Sequence, residues 1–511
     1  MSNTPSNNKR IAKNTLVLYV RMLFLMAIGL YTSRVVLQAL GVEDFGIYNV
    51  VGGFVALFAV LSQSLSSAAS RFLTFELGRG DRENLARVFS STLLIHIVLA
   101  LLIAIVGEVI GMWYVNTVMV VPPERMTATN WVFHFSVLAF CLNLVTVPHN
   151  AAVIAHERMS AFAYISIFEG VGKLLICFLI MASSCDRLVF YAVLMFFVQL
   201  ACRGMLYYYC RRHFPECRLR LTYNKALLKE ISGFAGWNII GTSAAILRNQ
   251  GVNVLLNLFF GPVVNAARAL ANQVMQAVNG FAENFFMALR PQITKSYASG
   301  NREYMMTLIT QGSRLSFYML FVVCLPILLN TDYLLHLWLK TVPAHTTLFV
   351  QLTLLFTMVE AISMPLLTAQ QATGNIRNYQ IIVGGLQIMN LPLSYVILKM
   401  GGTAESVMFV AISLSALCLI VKLFLLRESI QLDVWFFVRK VLLNIVVVSL
   451  VAAIVPCLLR GDGSKTFLSF AAFTLLCLVC SVLAILYVGL KKAERQFVFS
   501  KVKETRNKFH L

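Results

Sequence analysis

Apolar runs of about 20 residues recur along nearly the whole chain, and no other feature restricts its fold so severely. A helix of that length, rising 1.5 Å per residue, crosses a ~30 Å hydrocarbon core. In lipid every backbone N–H and C=O must be satisfied within the protein, which leaves helices and closed barrels. The runs are continuous rather than alternating, so helices are expected. Hydrophobic residues make up 59% of the 511 positions and charged ones only 13%. Soluble domains carry about 25% charged residues, so the composition argues against a water-soluble enzyme.

The expected class is an all-α polytopic membrane protein of about fourteen transmembrane helices. The spans are 14–38, 46–70, 88–112, 130–153, 161–183, 187–209, 233–258, 264–289, 313–330, 346–369, 379–399, 405–426, 436–459 and 467–490. The first is too long for a signal-peptide core and reads as a retained helix. The net charge of +20 raises the question of nucleic acid, but the basic residues lie between the apolar runs rather than along one stripe. Counted over alternate connections, about three quarters of the Lys and Arg fall on one side, which places both termini in the cytoplasm. Cys477 and Cys480 form a C-x-x-C within the last span, and the eight histidines are scattered. Neither pattern holds a metal, and no cofactor is expected.

The chain repeats itself weakly. Leu40-Gly41 closes the first span and Phe260-Gly261 the seventh; Gly80-Asp81-Arg82-Glu83 is echoed by Gly300-Asn301-Arg302-Glu303. Further on, Pro148 and Arg158 are matched by Pro365 and Arg377. With six helices per repeat, both copies share one orientation, and their pseudo-twofold axis runs along the membrane normal. The expected organisation is an N-lobe at 1–212 with spans one to six and a basic cytoplasmic linker at 213–232. A C-lobe at 233–428 holds spans seven to twelve, and 429–511 holds the last two spans and a basic cytoplasmic tail.

Polar groups in lipid are costly, so their placement is informative. In the eighth span Asn265, Arg268, Asn272, Gln276, Asn279 and Glu283 recur at spacings of three and four and share one helical face. The seventh carries Asn238, Thr242, Asn249, Asn253 and Asn257, the second Asn49, Ser62, Ser66 and Ser70, and the first Arg21, Tyr31, Arg34 and Gln38. Facing one another, these spans would line a water-filled cleft. Asn49, Asn249, Asn253, Asn272, Gln276, Asn279 and Glu283 are its expected lining, although such groups also hydrogen-bond neighbouring helices in membrane bundles. Arg34, Arg248 and Arg268 are the candidates for holding a pyrophosphate, because a planar guanidinium matches phosphate oxygens bidentately. Glu169 and Lys173, at i and i+4, either neutralise one another or respond to a proton or cation. With Glu360 they are the candidates for proton or sodium coupling.

The stretch from Thr32 to Asn49, TSRVVLQALGVEDFGIYN, is similar to the opening of Wzx-type polysaccharide or O-antigen flippases of the multidrug/oligosaccharidyl-lipid/polysaccharide exporter superfamily. His156-Glu157-Arg158-Met159 followed by Ala163-Tyr164-Ile165-Ser166-Ile167 resembles the same family. The resemblance implies two six-helix lobes around a cavity lined by the first, second, seventh and eighth helices. It implies alternating access in the bacterial inner membrane. The cargo would be an undecaprenyl-pyrophosphate-linked oligosaccharide, an O-antigen or capsule repeat unit, flipped from the cytoplasmic to the periplasmic leaflet. Arg34 and Arg268 are the residues that match the family's cavity arginines. The lipid-linked oligosaccharide and the bilayer are the expected partners, together with other membrane proteins of polysaccharide assembly.

A multidrug or cation antiporter of the same superfamily would favour an acidic cavity, and a lipid II flippase would share the fourteen helices. A membrane polymerase usually presents a sizeable outer loop. Here the longest outer connection, Trp113 to Thr129, has only Glu124 and Arg125 as charges. Neither paired catalytic carboxylates nor a Ser–His arrangement stands out, so no catalytic residue is assigned and no enzyme is expected.

Overall fold

A computed structural model describes residues 4–56, 58–117, 119, 121–183, 186–218, 225–260, 262–339, 342–459, 466–492, 494–496 and 499. The side chains of Arg34, Asn49 and Asn257 lie outside the described residues. Among the described residues the regular structure is all helical, with no strand. The helices are α1 (Thr4–Ala56), α2 (Ala59–Arg79), α3 (Arg82–Thr117), α4 (Met126–Ala155), α5 (Met159–Ala182) and α6 (Arg187–His213). They continue as α7 (Lys225–Phe260), α8 (Pro262–Ala298), α9 (Arg302–Leu329), α10 (Thr331–Leu339), α11 (Thr346–Thr373) and α12 (Arg377–Ile388). The last are α13 (Asn390–Lys399), α14 (Ser406–Ile430), α15 (Val434–Phe437), α16 (Leu443–Leu459) and α17 (Phe467–Ala484).

The expected spans fall on helical stretches, the second shared between α1 and α2 and the eleventh between α12 and α13, and several helices outrun the span. Hydropathy marks where lipid ends, whereas the helix continues into water if its residues allow. Thus α3 begins at Arg82 with Glu83 in its first turn, and α8 continues through Lys295 to Ala298. Among the described residues, ten helices are long and apolar enough to cross a membrane. The chain is a multi-pass membrane protein.

Glycine sets the sharp corners. The connection expected at 39–45 is a break at Gly41 alone, with φ of 80° and helix on either side. Gly80 and Gly300 have φ of 77° and 74°, and in both places the next helix starts at the arginine two residues on. The two copies of the repeated tetrad therefore share one local conformation. Pro148 and Pro365 both lie inside helices, α4 and α11. Two features escaped the hydropathy pattern. The eleventh span is broken between α12 and α13, and the short α10 stands between the ninth and tenth spans with Leu335 fully buried.

The chain divides into two compact units, each with its own core. The first comprises Met1–Ser243, Met287–Arg302 and Gly374–Gln380. Here α4 packs against α2, α3 and α6, and α1 packs against α5. Phe72, Phe89, Leu206, Ile231 and Phe234 are buried in one apolar cluster. Gly78 of α2 lies against the end of α8 so closely that a Cβ would stand 2.9 Å from both Cα and O of Lys295. Gly78→Val is expected to cost about 1–3 kcal/mol through overpacking and to lower the thermal unfolding temperature in detergent. An unchanged temperature would mean that the α8 end yields freely.

The second unit comprises Ala244–Phe286, Glu303–Thr373 and Ile381–Leu511. Within it α14 packs on α11 and α13, and α16 on α17. The last two spans are tied to α9. The buried Arg314 guanidinium reaches both carboxylate oxygens of Glu494 at 2.6 Å. Tyr318 donates to Asn444 and packs its ring against Gly489.

Candidate functional site

Within the second unit, Arg248 of α7 and Arg268 of α8 line a single cavity of about 20 Å³. Asn249, Asn272, Thr353, Phe356, Asn390 and Met408 also line it. Its volume suits about one water molecule. Arg248 lies over the Phe356 ring, 4.9 Å from the centroid, with Nη1 3.6 Å from a carboxylate oxygen of Glu360. Glu360 also accepts a 2.5 Å hydrogen bond from Ser415, and the buried Lys422 acts on the same carboxylate. One carboxylate thus faces two cations.

Arg268 stands differently. It is only 6% exposed, and its Nε and Nη1 have no hydrogen-bond partner among the described residues. The amide oxygen of Asn390 accepts from Ser394, which leaves the amide nitrogen over as a donor. The Nε of Arg248 is unpartnered as well. The cavity therefore collects unused N–H donors around an uncompensated guanidinium. A buried charge in that state is costly, and an anion rich in acceptor oxygens would remove that cost.

The other expected lining residues are spread more widely. Gln276 and Glu283 are exposed, Asn279 is half-buried, and Asn253 donates to Gln250 at 3.0 Å. In the first unit the start of the α7 polar face serves packing. Asn238 accepts from Gln380 at 3.0 Å, and Thr242 accepts from Ser64 at 3.3 Å. Glu169 and Lys173 form their i, i+4 pair at 2.8 Å. Arg34 and Asn49 lie outside the described residues, so the structure brings together Arg248, Asn249, Arg268 and Asn272.

A second polar cluster had no forerunner in the sequence reading. The Glu157 carboxylate, 1% exposed, sits in the turn between α4 and α5 with φ of 58°. It accepts from Lys295 Nζ at 2.6 Å and Gln292 Nε2 at 2.6 Å, and pairs with Arg10 Nε at 2.9 Å. Its backbone carbonyl accepts from Asn14 at 3.2 Å. One side chain thereby ties α1, the α4–α5 turn and the end of α8 together inside the first unit. Next to it, His156 stacks on Phe214 with ring centroids 4.1 Å apart and bonds to Glu216. Burial works to raise the Glu216 carboxyl. The bonds from His156 and its own backbone N–H, with the His156 and Arg82 charges, outweigh burial and hold it below the ordinary carboxylate range. Only the HERM resemblance touched this region, and no local pattern marks a buried carboxylate whose partners are far away in the chain.

Residues 11–297, more than half of the chain, match the family model described as "Polysaccharide biosynthesis protein". The chain belongs to that family. A relative is the uncharacterized membrane protein EpsK of Bacillus subtilis (strain 168), 21% identical over 296 residues. That match covers 57% of this chain and 58% of EpsK, so the chain spans somewhat over half the length of this relative. Among solved structures, an outward-facing multidrug resistance MATE family transporter of the MOP superfamily matches with a TM-score of 0.72 at 14% identity. The match covers 83% of this chain and 96% of that one. A MOP superfamily transporter from Pyrococcus furiosus Vc1 (DSM3638) matches with a TM-score of 0.68 at 13% identity, over 82% and 96% of the two chains. These likenesses show a MATE-like transporter fold.

Proposed function

We propose that this member of the polysaccharide biosynthesis family is a flippase. It would move an undecaprenyl-pyrophosphate-linked oligosaccharide from the cytoplasmic to the periplasmic leaflet of a bacterial inner membrane by alternating access, with both termini in the cytoplasm. The observation that carries the reading is Arg268, a buried guanidinium with two free donors on a cavity shared with Arg248. A diphosphate supplies the charge and acceptor geometry that these donors lack, and a cavity with room for about one water must widen in the transport cycle to admit it. Arg34 joins the same role on the strength of the resemblance. Glu360 is the coupling carboxylate in this reading, since protonating it would release Arg248 toward the cargo. The two six-helix lobes and the last helix pair are proposed as the moving halves and an appendage.

A drug or cation antiporter fits this pocket poorly, because its two arginines repel a cationic cargo. The Pyrococcus furiosus transporter is described as having a binding pocket of reverse polarity, which suggests a different function for it. The test is the pool of lipid-linked oligosaccharide in a deletion strain, with and without the gene restored. Accumulation on the cytoplasmic side, cleared by the wild-type gene, is the expected result. An unchanged pool with altered sensitivity to cationic drugs would overturn it.

A further inference from the structure

We infer that the first unit carries a separate site for the uncharged sugar portion of the cargo, built on Asn143 and Gln199. This rests on the flippase reading above and assigns a second contact to the same substrate. The site is a cavity of about 320 Å³ between α1, α4 and α6. Its size lies at the lower end of the range of small-molecule sites, roughly 300–1,000 Å³.

The chemistry of the lining identifies the ligand class. Tyr48, Phe135, Phe140 and Phe196 supply aromatic surface, and Ser136, Asn143 and Gln199 supply the polar groups. No charged side chain is among its described lining residues. The rings are held in place by neighbours. Tyr48 meets Tyr191 edge-on with centroids 4.8 Å apart, and Phe135 lies 5.6 Å from Phe196. Asn143 and Gln199 fall near the middle of the apolar helices α4 and α6, where an unmet polar group is expensive. Neither side-chain amide, nor the Ser136 hydroxyl, has a hydrogen-bond partner among the described residues. Each amide offers two donors and an acceptor, so the unmet groups ask for a ligand that both gives and takes hydrogen bonds.

A sugar ring has that character. Its hydroxyls donate and accept, and its C–H faces pack on aromatic surface. A phosphate only accepts and brings charge, which this lining does nothing to balance. A prenyl chain fills the aromatic part and strands the amides. Guanidinium donors suit a diphosphate, and amides beside aromatic rings suit a saccharide.

The experiment compares binding of two synthetic probes to the purified full-length protein in detergent. One is a short polyprenyl diphosphate bearing a trisaccharide, and the other is the bare polyprenyl diphosphate. Wild type is expected to bind the glycosylated probe about tenfold more tightly, as two uncharged hydrogen bonds would give. The double variant Asn143→Leu, Gln199→Met should lose that preference while binding the bare lipid as wild type does, which also shows that it is folded. Equal binding of the two probes by wild type overturns the sugar site and leaves the flippase standing. A variant that weakens the bare lipid as well assigns the cavity to the chain and overturns the sugar site too. If wild type binds neither probe, the flippase reading falls and the sugar site with it.

Discussion

Replacing Glu157 with alanine is expected to destabilise the protein by about 3–5 kcal/mol, the cost of breaking a buried ion pair on one side only. The substitution leaves Lys295 and Gln292 without their 2.6 Å partner and takes the carboxylate from the half-exposed Arg10. The backbone deepens the loss. Glu157 holds φ of 58°, a region that costs a non-glycine residue about 1–3 kcal/mol unless its surroundings enforce it. In this turn the carboxylate's bonds act together with backbone bonds from the Glu157 N–H to Ile154 and the Arg158 N–H to Val153. Thermal or denaturant unfolding in detergent reads the effect. Glu157→Gln, which keeps the shape and part of the hydrogen bonding, should fall between wild type and alanine. Combining Glu157→Ala with Lys295→Met should cost less than the two changes added together, because the second removes a cation that the first left stranded. Simple additivity, or a loss below about 1 kcal/mol, would show that the cluster does not hold the first unit together.

The second large effect pairs two opposite signs. Arg268→Met should slow transport of the lipid-linked saccharide about 10- to 100-fold, the worth of a lost charge-assisted hydrogen bond. The same change should raise the unfolding temperature, because a buried cation with no partner among the described residues is removed from an apolar surrounding. Arg268→Lys keeps the charge and loses the planar fork, so its rate should lie between the two. The opposed signs are the test. A variant that is slower and also less stable would make Arg268 a packing residue and remove the phosphate role.

The membrane fold was readable because lipid imposes one rule on every span, and length with continuity of apolar residues is sufficient to state it. The corners were readable where glycine made them, at Gly41, Gly80 and Gly300, because a positive φ is nearly a glycine property. What hydropathy cannot carry is contact between distant segments. The eighth span showed a polar face of six residues, yet only Arg268 and Asn272 of these meet Arg248 in the cavity. Which residues of a face turn inward depends on neighbours that a periodicity does not name. Glu157 illustrates the same limit, with Gln292 and Lys295 more than a hundred residues further along the chain. Asn143 and Gln199 are single amides in long apolar runs, where a satisfied packing role and a ligand contact look alike.

The lone charge of Arg268 has an electrical meaning under the proposed function. A pocket that travels loaded carries a diphosphate's negative charge against the guanidinium, and one that returns empty carries the guanidinium bare. A membrane voltage acts on a full charge with about 2.3 kcal/mol per 100 mV, and here it pulls the two legs of the cycle in opposite senses. With the cell interior negative, the outward leg of the anion and the inward leg of the bare cation are both downhill. The resting potential itself could then turn the cycle, and collapsing it would stall export even with every ion gradient intact.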